Sequence, residues 1–349
     1  MRYQLLGRSG LRVSEICLGA LTFGEETGWG ASKGEARKLY DTFRDAGGNF
    51  VDTANVYTGG TSEKFLGEFM SGHRDEIVLA TKYTGAAPGK DPNAAGNHRK
   101  SMMQAVEASL KRLQTDRIDL YWMHIWDRIT PVEEVMRGLD DLVRQGKVHY
   151  VGVSDVAAWW VAQANTLAEL RGWSAFTGLQ IEYSLMERTP ERELIPMAAA
   201  LGLTVTAWSP LANGLLSGKY RVTDTGVQSE DGKSRLDNSE MQQFIGNRER
   251  ANQVVDTLKT VAKEAGHSPA QIALAWLRQR PQPAIPIVGA RKLEQLVANL
   301  AIVDLRLSNE HLRVLNEASA IELGFPHDML EKPRPQSLAF GGMRPLIDV

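Results

Sequence analysis

Eight short apolar runs, each ending in polar residues and each separated from the next by a stretch long enough for a helix, constrain this chain more than any other feature. They are Ile16–Leu21, Phe50–Thr53, Ile77–Lys82, Ile118–His124, Val148–Ser154, Thr177–Tyr183, Thr204–Ser209 and Ala284–Gly289. Their near-continuous apolar character suits parallel strands buried on both faces. The intervening segments carry helical spacing: Met103, Val106, Leu110 and Leu113 share a face, as do Val132, Val135, Leu139 and Leu142, and Leu293, Leu296, Val297 and Leu300. Thr130-Pro131 with Glu133, and Ser268-Pro269 with Gln271, read as capping boxes with proline at the first helical position, and Thr189-Pro190 as a similar start without the third-position partner. Strands alternating with helices predict a parallel α/β fold, and eight is the number that closes a (β/α)8 TIM barrel. An open doubly wound sheet lacks its signature, because no run leads into a G-x-G-x-x-G turn.

Three pieces lie outside the repeat. Arg2–Gly7 and Leu11–Glu15 flank Arg8-Ser9-Gly10 and read as an N-terminal β-hairpin. Residues 211 to about 250 form a long Gly-rich polar connection after the seventh strand, a length more typical of a functional lid than of filler. A helix is expected from Ser308, and an irregular tail from Gly324 to Val349. No linker divides the chain, so residues 1–349 are expected to form a single domain, with the barrel at about 16–305 and the C-terminal helix and tail at 306–349.

Lys and Arg number 40 against 42 Asp and Glu, a formal charge of −2 that gives no electrostatic case for nucleic acid or an anionic membrane. Cys17 is the single cysteine, so no intrachain disulfide forms. No apolar stretch is long enough for a signal peptide or a membrane span. A cytoplasmic location is therefore expected. A homo-oligomer is compatible with this sequence but not readable from it.

Polar residues interrupt the apolar runs chiefly at their carboxyl ends: Asp52, Lys82, His124, Ser154, Gln180 and Ser209. In a barrel those ends share the rim on which active sites are built. Each also has a bland reading: Asp52 and Lys82 as a structural ion pair, His124 as a core residue, Ser154 or Asp155 as a helix N-cap. No metal-ligand set gathers there. Two opposed carboxylates of the glycosidase kind are lacking, since only Asp52 and Glu182 qualify and Glu182 is read as pointing away from Gln180. No G-x-S-x-G pentapeptide supplies a serine nucleophile. What remains is a Tyr in a loop, a Lys, a carboxylate and a His. An ammonium beside a phenol favours the phenolate, and a His can orient a carbonyl oxygen. Such a group gives a proton to an oxygen gaining charge, and the hydride it needs implies a cofactor.

Asp52-Thr53-Ala54-x-x-Tyr57, Thr81-Lys82 and His124 in this order resemble the aldo-keto reductases. The likeness runs from Tyr3 to about residue 305, through Gly7-x-Ser9-Gly10-Leu11-x-Val13-Ser14, Gly152-Val153-Ser154, Gln180-x-x-Tyr183-Ser184, Trp208-Ser209-Pro210-Leu211 and Ile287-Val288-Gly289-Ala290-Arg291. The resemblance implies an NADP(H)-dependent reductase of a small-molecule aldehyde or ketone. Tyr57 would be the proton donor, Lys82 the partner that lowers its pKa, Asp52 the anchor of Lys82 and His124 the group that orients the carbonyl. It further implies that Ser154 and Gln180 hold the nicotinamide carboxamide and Trp208 stacks on the ring, with backbone contacts from Gly19 and Leu21. Ser209, Pro210, Leu211, Gly214, Lys219 and Arg235 would cradle the pyrophosphate. Gly289 and Arg291 would face the ribose 2′-phosphate, and Gln295 and Asn299 the adenosine end. Arginine suits bidentate phosphate recognition, so Arg291 favours NADPH over NADH.

Two positions depart from the family pattern: Asp155 stands where Asn is common, and Ala298 where Glu is common. Phe23, Trp29 and Trp126, on or near the rim, suggest an aromatic substrate pocket, with ordinary loop packing as the alternative. The resemblance extends to potassium-channel β subunits, which keep the barrel and a bound dinucleotide. The competing expectation is therefore a cofactor-binding regulatory subunit with little turnover, against which stands the lack of an extension ahead of the hairpin.

Overall fold

In a computed structural model of the chain, described for residues 1–26, 28–87, 89–223, 226–229 and 247–347, the eight apolar runs are eight strands. They are β3 (Cys17–Gly19), β4 (Phe50–Asp52), β5 (Val78–Tyr83), β6 (Ile118–Met123), β7 (Val148–Ser154), β8 (Phe176–Glu182), β9 (Thr204–Trp208) and β12 (Ala284–Val288). Each pairs in parallel with the next, and β12 closes the barrel between β9 and β3. The fold is the expected (β/α)8 barrel. Ahead of it β1 (Tyr3–Leu5) and β2 (Arg12–Ser14) form the N-terminal antiparallel hairpin.

Two cores follow from the strand period of two. Side chains pointing out of the barrel pack under the helices in a continuous layer that includes Leu18, Val51, Leu79, Tyr121, Val153 and Leu179. Side chains pointing in form a smaller cluster of Leu6, Val13, Cys17, Phe50, Val78, Ala80, Leu120, Trp122 and Ile285, to which the hairpin contributes Leu6 and Val13. Trp122 fills the centre because its neighbours give way. A Cβ on Gly152 would lie 2.4 Å from its ring, and one on Gly178 would lie 2.8 Å away. Above this plug the inward positions turn polar: Asp52, Lys82, Ser154, Gln180 and Thr206 are all buried.

Local starts and stops partly match expectation. Ser268 caps the helix Pro269–Arg278 with Gln271 reciprocating, a complete capping box. Thr130 does not cap: the helix Val132–Arg144 follows Pro131, and the Thr130 hydroxyl instead donates to Asp127 at 2.6 Å. Thr189-Pro190 opens a single 3-10 turn, and the α-helix starts only at Leu194. Neither Ser154 nor Asp155 caps the next helix, which runs Ala158–Arg171 after Ala157. Val297 is 52% exposed, so the face of the helix Leu293–Leu300 is narrower than its apolar pattern.

The connection after β9 is not without structure. It holds a 3-10 turn, Ala212–Ser217, and an antiparallel hairpin of β10 (Tyr220–Thr223) and β11 (Gly226–Ser229). A helix, Arg248–Ala265, leads on from it. Arg235 lies outside the described residues. The tail, expected to be irregular, instead carries short helices at His327–Leu330 and Pro333–Phe340 after the anticipated helix Asn309–Ala318.

Candidate active site

Backbone conformations mark one rim before any side chain is considered. Among the described residues, the non-glycine positions with left-handed φ are Thr58, Thr84, Arg128, Asp155, Ser209, Ala212, Asn213 and Gln114. All except Gln114, which ends the helix Arg99–Leu113, follow the carboxyl ends of barrel strands. Such conformations persist only where surrounding contacts hold them, and they gather at functional sites.

Tyr57 opens the turn after β4, and that turn is tied down on both sides. The Thr58 hydroxyl donates to the Phe23 carbonyl at 2.7 Å. Ser62 donates to the Ala20 carbonyl at 2.7 Å and pairs with Thr53. These bonds fix the phenol over Lys82 without using any group of Tyr57 itself. Lys82, inward-facing on β5 and fully buried, donates from Nζ to Asp52 Oδ2 at 2.5 Å, to the Thr53 carbonyl at 2.8 Å and to Tyr57 Oη at 3.0 Å. All three ammonium protons are thus spent. Gln180 Nε2 donates to the other Asp52 oxygen at 3.0 Å. The His124 ring stands edge-on to that of Tyr57, with centroids 5.9 Å apart. The four residues expected to do the chemistry are therefore neighbours, together with Gln180.

Their protonation follows from burial and charge. Burial pushes the Lys82 ammonium down, but Asp52 and Tyr57 outweigh it and hold the group above its ordinary value. Burial pushes the Tyr57 phenol up, and the Lys82 ammonium pulls against that rise without cancelling it. In the resting protein the ammonium offsets burial rather than making the phenol acidic. Burial and the Lys82 charge push His124 down to about 3, so its imidazole is neutral at pH 7.

Around this centre the other positions implied by the resemblance have distinct surroundings. Ser154 Oγ is buried and has no hydrogen-bond partner among the described residues, nor has Thr206 Oγ1. A buried hydroxyl without a close protein acceptor or donor has hydrogen-bonding capacity left for a ligand or a water. Trp208 ends β9 half-buried, its indole donating to Asp155 Oδ1 at 3.0 Å. Gly19 ends β3 where a Cβ would meet Ile287 at 2.8 Å, and Leu21 follows it half-buried. Ser209, Pro210 and Leu211 lead into the turn that holds Gly214, whose φ of +104° demands glycine. The Ser209 hydroxyl accepts from the Asn213 amide at 3.0 Å, and Lys219 is exposed beyond the turn. Gly289 and Arg291 are exposed ahead of the helix Leu293–Leu300. Gln295 Oε1 accepts there from the Arg291 and Lys292 amides, and Asn299 is buried one turn further on. Two cations at a helix start form a surface suited to phosphate.

Three readings need correction or addition. Phe23 is fully buried and packs edge-on to Phe69, so its ring belongs to the core and not to a pocket. Trp126 is half-buried in the loop after β6, edge-on to the exposed Trp159, and Trp29 is half-buried in the loop after β3. Glu182 does not point away from Gln180: the two lie two residues apart in β8 and so share a face. Burial, with Glu187 and Asp155 adding to it, pushes the Glu182 carboxyl up to about 7. Counting the period in the run would have found it. No group of three or more His, Cys, Asp or Glu among the described residues could hold a metal ion. No helix among them is long and apolar enough to cross a membrane.

Comparison with known proteins agrees with this geometry. The model of the Aldo/keto reductase family matches residues 15–320. An aryl-alcohol dehydrogenase [NADP(+)] of Phanerodontia chrysosporium is 41% identical, covering 93% of this chain and 87% of that protein. A norsolorinic acid reductase of Aspergillus flavus is 37% identical over 95% of this chain and 84% of its own length. An uncharacterised oxidoreductase of Bacillus subtilis is 38% identical over 91% and 95%. With a buried lysine–tyrosine–carboxylate set at the barrel's carboxyl rim and relatives matched over nearly their whole length, this chain belongs to the aldo/keto reductase family and is an oxidoreductase.

Proposed function

We propose that the protein reduces aldehydes or ketones to alcohols with NADPH, using Tyr57 as the proton donor. The observation that carries this reading is the Lys82 ammonium held between Asp52 and the Tyr57 hydroxyl, at 2.5 and 3.0 Å. When bound, the dihydronicotinamide supplies the hydride. Ser154, with its unpaired buried hydroxyl, Gln180 and Trp208 are the groups offered to the nicotinamide end. Arg291 at its helix start is offered to the 2′-phosphate, which favours NADPH.

The proton chemistry belongs to this chain. A phenol raised by burial keeps its proton at neutral pH, so the donor is loaded before the carbonyl arrives. As the carbonyl oxygen gains charge the proton moves from Tyr57 Oη to it. The phenolate left behind is stabilised by Lys82, which Asp52 keeps charged. Neutral His124 can donate an N–H to the same oxygen and orient it. For the substrate, the names of the relatives and the Trp126–Trp159 pair support an aryl carbonyl.

Tyr57→Phe is the test. With NADPH and a panel of aryl aldehydes, turnover should fall by about 10²- to 10⁴-fold, the usual worth of a positioned general acid, while NADPH binding persists. Equal turnover by the two proteins would exclude Tyr57. Tight binding of NADPH by the wild type without turnover would favour the regulatory alternative.

A further inference from the structure

The charges that face the Tyr57 hydroxyl do not sum to zero. Lys82 and Asp52 cancel as a pair at 2.5 Å, and His124 is neutral. Asp155 has no cationic partner at ion-pair distance among the described residues; its carboxylate accepts from the neutral Trp208 indole at 3.0 Å, and the neutral Ser154 hydroxyl beside it also favours its charged form. Its place is fixed by the backbone. The Asp155 amide donates to the Gln180 carbonyl at 3.4 Å, and its own carbonyl accepts from the Trp126 amide at 3.4 Å. Its φ of +47° is one that Asp and Asn tolerate better than other side chains. Burial pushes the Asp155 carboxyl up, against the pull of the Trp208 indole and of Lys82, and its charge adds to the rise that burial imposes on the Tyr57 phenol. Glu182, facing the same rim and half-buried, adds negative charge when ionised.

A hydrogen-bond acceptor for Trp208 does not need to be charged. Asn would also accept from the indole, though less strongly, so the negative charge has a separate consequence. The nicotinamide ring is cationic when oxidised and neutral when reduced. An uncompensated carboxylate beside the place offered to that ring stabilises one form and not the other.

We propose that Asp155 is a specificity-determining residue for the oxidation state of the cofactor: its carboxylate makes the site bind NADP+ more tightly, relative to NADPH, than a neutral side chain there would. This rests on the reading that Ser154 and Trp208 receive the nicotinamide end. The role is separate from fixing Trp208, because the hydrogen bond survives replacement by Asn and the charge does not. The consequence is that NADPH bound in this site is a stronger hydride donor, because its oxidised product is stabilised in place, which suits carbonyl reduction.

The test is the ratio of dissociation constants, Kd(NADPH)/Kd(NADP+), by fluorescence titration and competition in wild type and Asp155→Asn. The ratio should fall about tenfold in the variant, the size of one pKa unit of charge interaction, chiefly through weaker NADP+ binding. The 2′-phosphorylated ADP-ribose fragment, which lacks the nicotinamide, should bind both proteins alike. An unchanged ratio with normal fragment binding overturns the proposal, as does a changed ratio accompanied by an equal loss of fragment affinity. Should Asp155→Asn not fold, Asp155→Ser is neutral as well and must show the same fall. A wild type that binds neither dinucleotide would instead overturn the cofactor reading beneath it.

Discussion

Lys82 is wholly buried, and its charge survives there because Asp52 and two oxygen acceptors, the Thr53 carbonyl and the Tyr57 hydroxyl, take its three protons. Removing one member of a buried pair leaves the other uncompensated, at a cost of about 3–5 kcal/mol. Lys82→Met should therefore destabilise the protein by that order in urea unfolding. The double variant with Asp52→Asn should lose less than the sum of the two singles; additive losses would mean the pair is not coupled. His124 makes the opposite kind of demand. Its folded value near 3 lies below the ordinary 6.5, so the unfolded chain takes up a proton that the folded one refuses. That contribution to stability is present above about pH 6.5 and is lost as pH falls toward 3. His124→Asn should flatten the fall in unfolding free energy between pH 6.5 and 4, and an unchanged slope there would contradict a neutral buried imidazole. Asp52, Lys82 and His124 were legible because each is the polar residue that breaks an apolar run at its end. Thr58 was not, because its role depends on the Phe23 carbonyl, 35 residues away in sequence. Phe23 was misread because nearness to a strand end says nothing about which way a ring points.

Elements were legible where one local signal decides them and illegible where a tertiary contact competes. Ser268-Pro269 with Gln271 forms its capping box because nothing else claims the serine. Thr130-Pro131 carries a similar pattern, yet Asp127 takes the Thr130 hydroxyl and amide and also accepts from the Asn97 amide, stitching two rim loops together. A competing side-chain acceptor therefore overrides the cap. The two threonine–serine positions should separate in experiment. Ser268→Ala removes a used cap and should cost about 1 kcal/mol in urea unfolding with little effect on cofactor affinity. A loss below a few tenths of a kcal/mol would show that the box does not contribute. The tail shows the limit of composition: Pro and Gly suggested irregular chain, but Pro333 stands at a helix start, where its fixed φ is compatible with the helix and its missing N–H costs nothing.

At the scale of the whole molecule the barrel divides its labour along its axis. The rim that follows the strands holds the left-handed backbone, the unpaired hydroxyls and the buried charge. The interior beneath it is apolar and filled by Trp122, with Gly152 and Gly178 leaving it space. Gly152 lies on the same inward row as Ser154, so the packing of the plug and the placing of that hydroxyl are mechanically linked through one strand. Gly152→Ala would bring a methyl group to 2.4 Å from the indole. Overpacking of this kind costs about 1–3 kcal/mol. Because the strand must shift to relieve it, cofactor affinity should fall along with stability. Trp122→Phe removes the atoms that collide, and with them an indole N–H that has no hydrogen-bond partner among the described residues. The double variant should therefore recover both stability and cofactor affinity relative to Gly152→Ala alone. If stability returns and affinity does not, the plug and the rim are independent, and the linkage through β7 is wrong.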